Sequence, residues 1–194
     1  MNPVNSPTLA PPGAGLPAIE LFVARRIFAL KRLLGNRPSF TNTFHQQRAA
    51  VAAIVGSCSK EKGASRVLIR RLPGLEDSSR HWSVWMTLDH LRIVHLEMSR
   101  VIEALAKGEN LSGQASTAAV KPSPEATSSI HQTYEDSCDH LLKTVESVSD
   151  LKTKNTYAHP WFGPLNAEGW FALAGTHLAI HRAQIEKILA GLVD

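Results

Sequence analysis

Helical periodicity dominates this chain. Val84, Leu88, Leu91, His95, Met98, Ile102 and Leu105 recur at the three-and-four spacing that aligns side chains along one face of a helix, within a pattern spanning residues 80–107. A second stripe carries Tyr134, Cys138, Leu141, Val145 and Val148. A third carries Trp170, Ala174, His177, His181, Gln184, Ile188 and Leu192. No segment shows strand alternation of useful length. Apolar stripes of this kind bury themselves against one another, so the fold class is all-α, a four-helix bundle. Residues 17–34 read as an additional N-terminal helix that stops at Gly35-Asn36. The alanine-rich stretch 40–57 supplies the remaining bundle helix.

The organisation follows from these stripes. Residues 1–15, rich in Pro, Ala and Ser, read as a flexible tail, and residues 16–194 as a single helical-bundle domain. Residues 60–78 are irregular, with a turn at Pro73-Gly74. Ser123-Pro124-Glu125 reads as the start of a helix with Ser123 as its N-cap. Asn166 is an N-cap candidate for the last helix, with Leu165 and Trp170 at the positions of a hydrophobic staple.

Composition excludes several function classes. The stretch from Leu16 to Leu34 is apolar but contains Glu20, Arg25, Arg26, Lys31 and Arg32, so it does not span a membrane. The net charge of +4 is mild, and no basic run is interleaved with aromatics, so neither a nucleic-acid nor a membrane partner is expected. Cys58 and Cys138 have no metal-finger or CxxC spacing, and with no signal peptide they read as reduced thiols of a cytoplasmic protein. Phosphate-loop, GxGxxG, GxSxG, HExxH and ExxH patterns are all absent, which removes the common nucleotide, hydrolase, zinc-protease and di-iron readings.

Histidines carry what remains. His177 and His181 lie four residues apart, one turn along the same helix face, which allows both imidazoles to reach one metal ion. His95 lies at the centre of its own stripe, about 20° from both Val84 and Ile102. It is therefore the first candidate for a third ligand. His90, about 120° from that centre, is the alternative. An imidazole on an apolar face needs a partner, and a shared metal would serve all three. Gln184 is placed to orient His181. His159, just before the last helix, is a candidate acid or base at the entrance. Trp85, Trp161 and Trp170 are candidate pocket walls.

Two stretches resemble a known family. Trp82-Ser83-Val84 with Asp89-His90-Leu91 and His95 is similar to the second bundle helix of the DinB-like superfamily. So are His159-Pro160-Trp161-Phe162-Gly163-Pro164-Leu165, Trp170 and His177-x-x-x-His181-x-x-Gln184-Ile185 to its last helix and the approach to it. The resemblance covers roughly residues 40–192. It implies one divalent metal ion (zinc, nickel or iron) on His95, His177 and His181, and a homodimer. It also implies a metal-dependent transferase or isomerase that uses a low-molecular-weight thiol and a small electrophilic substrate. A metal hydroxide hydrolysing its substrate is a related chemistry. The alternative is a non-enzymatic bundle whose metal site is structural or vestigial and which acts as an interaction module.

Overall fold

The structure, a computed structural model, describes residues 7–192. Six helices account for most of it: α1 (Ala18–Leu34), α2 (Arg37–Gly56), α3 (Lys60–Ala64), α4 (Val84–Ala106), α5 (Ile130–Ser147) and α6 (Ala167–Ala190). Four very short strands form two antiparallel pairs, β1 (Val67–Leu68) with β2 (His81–Trp82), and β3 (Tyr157–His159) with β4 (Gly163–Leu165). Helices α2, α4, α5 and α6 make the bundle. Helix α6 packs on both α2 and α4, α4 packs on α5, and Arg48 of α2 closes the ring by pairing with Glu135 and Asp139 of α5. The stripe residues read from the sequence are buried on α4 and α5.

Local chemistry sets the helix ends. Asn36 caps α2 in a reciprocal box with Ser39, so the Gly35-Asn36 stop of α1 is also the start of α2, three residues before the expected position. The Asn166 side chain accepts from the Gly169 amide, as expected for the N-cap of α6. The fourth bundle helix departs from expectation. Ser123 does not cap it, and α5 begins at Ile130. The Ser123 hydroxyl instead accepts from Glu125 N, two residues on, and its own amide donates to the buried carboxylate of Asp89 on α4. The segment is thus strapped across α4 in turns, with the Asp89 carboxylate holding its Ser123 amide.

That strap belongs to a long connection over residues 107–129, which lies against one side of α4. As a result every residue from Val84 to Leu91 is buried, whichever way it points. Residues 7–15 also have an anchor. Ala10 and Gly13 donate their amides to Asp77 and Glu76, so the part of the expected tail that is described is tied down, while residues 1–6 lie outside the described residues.

Helix α1 lies outside the bundle, across α6. Its only fully buried side chain is Phe28, and Ile19, Phe22, Ile27, Leu30, Leu33 and Leu34 are exposed. Polar tethers hold it: Glu20 pairs with Arg71 and accepts from Gly74 N, Arg25 donates to Trp161 O, and Lys31 donates to Thr176 on α6.

Trp85 does not wall a pocket. It packs under α3, donating its indole N–H to Lys60 O at 3.0 Å. Gly63 of α3 rests on this ring so closely that a Cβ there would fall 2.2 Å from it. Gly63→Ala should therefore lower stability by about 1–3 kcal/mol through overpacking, read as a shifted urea midpoint. An unchanged midpoint would show that α3 does not bear on Trp85.

Candidate metal centre

The structure brings His90, His177 and His181 together. The His177 Nε2 atom lies 3.2 Å from Nε2 of His90 and 3.1 Å from Nε2 of His181, and one ligand atom of each lies within 4.8 Å of the others. His95 is not with them. It points to the opposite side of α4, into the bundle centre, against Phe44 of α2 and Tyr134 of α5, with Nδ1 3.3 Å from the Ser137 hydroxyl. The third histidine at the pair is thus His90 rather than His95. The stripe centre of α4 faces α2 and α5. His177 and His181 instead meet α4 on the flank that the 107–129 connection covers.

Hydrogen bonds behind the rings settle where the protons sit. Ser79 O is a carbonyl and can only accept, so Gln184 turns its amide nitrogen to it, at 2.7 Å. The Gln184 oxygen then faces His181 Nδ1 at 2.6 Å, and that nitrogen must carry the proton. His90 Nδ1 likewise donates to Val120 O, at 2.6 Å. Both rings therefore present an unprotonated Nε2 to His177. His177 can donate to only one of them, and its Nδ1 is buried with no partner among the described residues. Whichever nitrogen of His177 holds the proton, a buried polar atom is left unmatched, at a cost of about 1–3 kcal/mol. Three neutral imidazoles aimed at one point are a donor set for a metal cation, with the outer nitrogens already held as a metal site requires. The three histidines could thus hold a metal ion.

Burial keeps these rings neutral. Desolvation lowers the pKa of His90 to about 4, against a smaller opposing effect of its Val120 hydrogen bond. The same burial, with repulsion from neighbouring imidazoles, holds His177 and His181 well below the usual range. Trp82 of β2 backs the group, stacked on His181 with 6.1 Å between ring centroids and 5.1 Å from the His90 ring. His95, also desolvated, drops to about 3. The neighbouring Cys138 thiol is pushed up to about 12 by burial, so it is an inert core group.

His177 is the least enclosed of the three, and it opens on a cleft of about 820 Å³ between α1, α4, α6 and the connections that precede α4, α5 and α6. His159 lines the same cleft with Trp161 and Trp170. Its Nδ1 accepts from Trp161 N at 3.1 Å, which leaves the proton on Nε2, and burial lowers its pKa to about 4. His159 is therefore a wall residue and a neutral donor, outside the three-histidine group. The backbone acceptors Val120 O and Ser79 O have no signature in the sequence. Gln184 does, through its spacing from His181.

These shifts fix the sign of an acid response. A folded pKa below the unfolded value of about 6.5 means that the unfolded chain takes up protons first. Stability of the metal-free protein should be level above pH 6.5 and fall as pH drops toward 4, by roughly 1.4 kcal/mol per pH unit for each buried histidine. This window lies above the range of the paired carboxylates. Urea melts between pH 7.5 and 4.5 read it, and constant stability across that span would contradict neutral burial.

The comparisons agree with this architecture. The DinB superfamily family model matches residues 43–185. No curated protein matches the chain. Among solved structures, a protein described as TT2238, a four-helix bundle protein, superposes with a TM-score of 0.56 at 20% identity, over 78% of this chain and 98% of its own. No helix among the described residues is long and apolar enough to cross a membrane. With the family model spanning the whole bundle from α2 to α6, the chain belongs to the DinB superfamily.

Proposed function

We propose that this protein binds one divalent metal ion through Nε2 of His90, His177 and His181 and uses it in thiol-dependent transfer chemistry. One observation carries the metal assignment: three neutral imidazoles converge on each other with no proton arrangement that satisfies them all. Zinc, nickel and iron all suit an all-imidazole set.

A three-histidine set leaves a coordination position free, and the cleft beside His177 gives a small molecule access to it. That arrangement favours an enzyme over a structural site, which is ordinarily closed by four protein ligands. A divalent ion held there lowers the pKa of a thiol or water bound to it. The chain's own part is to hold the three rings, through Val120 O and the Ser79–Gln184 relay, and to keep bulk water away with Trp82. His159 is suited to donate a hydrogen bond from its Nε2–H to a group bound in the cleft. Cys138, buried and protonated, is no source of the thiol, and Cys58 does not line the cleft, so the thiol comes from solution.

Metal analysis by plasma mass spectrometry of untagged protein tests the site. About one metal per chain is expected in the parent and in His95→Leu. A folded His90→Ala, His177→Ala or His181→Ala protein should carry none. Metal retained by His90→Ala and lost from His95→Leu would restore the arrangement expected from the helix stripes.

Access tests the chemistry. Cobalt-substituted protein should change its visible spectrum on addition of a small thiol such as 2-mercaptoethanol. A spectrum indifferent to both thiol and azide would mark a closed structural site and end the transferase reading.

A further inference from the structure

The charges around the cleft are unevenly matched. Five side chains with formal charge line it: Glu20, Lys31, Glu76, Glu97 and Lys121. Four are neutralised within the protein. Glu20 pairs with Arg71, Glu97 with Arg100, and Glu76 with Lys121. Lys31 alone has no carboxylate partner among the described residues. Its ammonium gives one hydrogen bond, to the Thr176 hydroxyl at 2.6 Å, and two N–H groups remain. It is half-buried, and burial lowers its pKa, as expected of a cation removed from water without a counter-charge.

Position adds to this. Thr176 immediately precedes His177 in α6, and Lys31, Thr176 and His177 all line the same cleft. Most of the remaining wall is apolar, with Val23, Ile27, Phe28, Val94, Met98 and Leu173 in it. An uncompensated cation in a largely apolar cleft that also reaches the three histidines is the complement of a molecule with one anionic end and an apolar body. Helix α1 contributes Lys31 and three of those wall residues, and lies before the residues matched by the family model.

We propose that the cleft is the binding site for an apolar carboxylic acid whose carboxylate pairs with Lys31 and whose apolar body lies between α1 and α4. This names the substrate class of the site proposed above and rests on that reading for its chemistry, but the binding itself does not require the metal. The carboxylate would compensate Lys31 and accept its two remaining N–H groups. Glu20, Glu76 and Glu97 do not repel it strongly, because each is already paired.

Calorimetric titration of the full chain, with zinc and after metal removal, tests this with octanoate and its neutral isostere octanamide. Octanoate should bind the parent about tenfold more tightly than octanamide, the ratio expected for one charge-assisted contact. Lys31→Met should bring the two affinities together by weakening octanoate alone. Equal affinities in the parent, or no binding of either, overturns the proposal without recourse to the variant. A ratio that survives in a folded Lys31→Met protein also overturns it. Octanoate binding by protein that takes up no metal would support this site while refuting the metal reading. Metal uptake without octanoate binding would do the reverse.

Discussion

Everything at this site depends on one buried carbonyl. Ser79 O can only accept, and by fixing the Gln184 amide it fixes the proton of His181 and turns a lone pair inward. Val120 O does the same for His90. These two oxygens come from connections, not from bundle helices, so the irregular parts of the chain determine the chemical state of side chains that the helices merely place. The 3-10 turn Asp77–Ser79, held by Arg80 and by the tethered residues 10 and 13, and the strap pinned by Asp89 are thus part of the site. A loosened connection would leave the imidazoles in place and free their tautomers.

The same dependence explains what the sequence could reveal. The bundle was legible, because each helix shows its buried face at a fixed period and the caps at Asn36 and Asn166 use side chains that bond their own backbone. His177 and His181 were legible because a four-residue spacing determines their relation without any partner helix. The third histidine was not. Periodicity identifies the side of α4 that faces the bundle axis, and His95 is indeed there, against Phe44 and Ser137. It cannot reveal that the opposite side is roofed by residues 107–129, which buries His90 as well. The late start of α5 has the same cause. Ser123-Pro124-Glu125 has the composition of a helix start, and its tie to the Asp89 carboxylate, over thirty residues away, is not a local property.

His95 illustrates a second, bland way to bury an imidazole. Its ring is enclosed by Phe44 and Tyr134, with Ser137 and Cys138 at Nδ1, and its Nε2 has no partner among the described residues. One unmatched nitrogen among aromatic neighbours is a tolerable defect in a core of this size. Two unprotonated nitrogens aimed at a third ring that can satisfy only one of them are a different matter, because no tautomer of His177 matches every buried nitrogen. Number and convergence, rather than burial alone, separate a candidate ligand set from a core histidine.

Helix α1 brings the two levels together. As a helix it is poorly buried, with Phe28 as its one inserted anchor, and the bundle from α2 to α6 has its own core without it. Its contribution is to the cleft. By lying across α6 it gives the cleft beside His177 an apolar wall, and by contributing Lys31 it places a cation in that wall. A segment that adds little to the core, yet completes the wall and charge of the cleft beside a reactive group, is positioned to set what that group meets. In the function proposed for this site, the bundle supplies the histidines and α1 supplies the wall and the charge that a ligand in the cleft would meet.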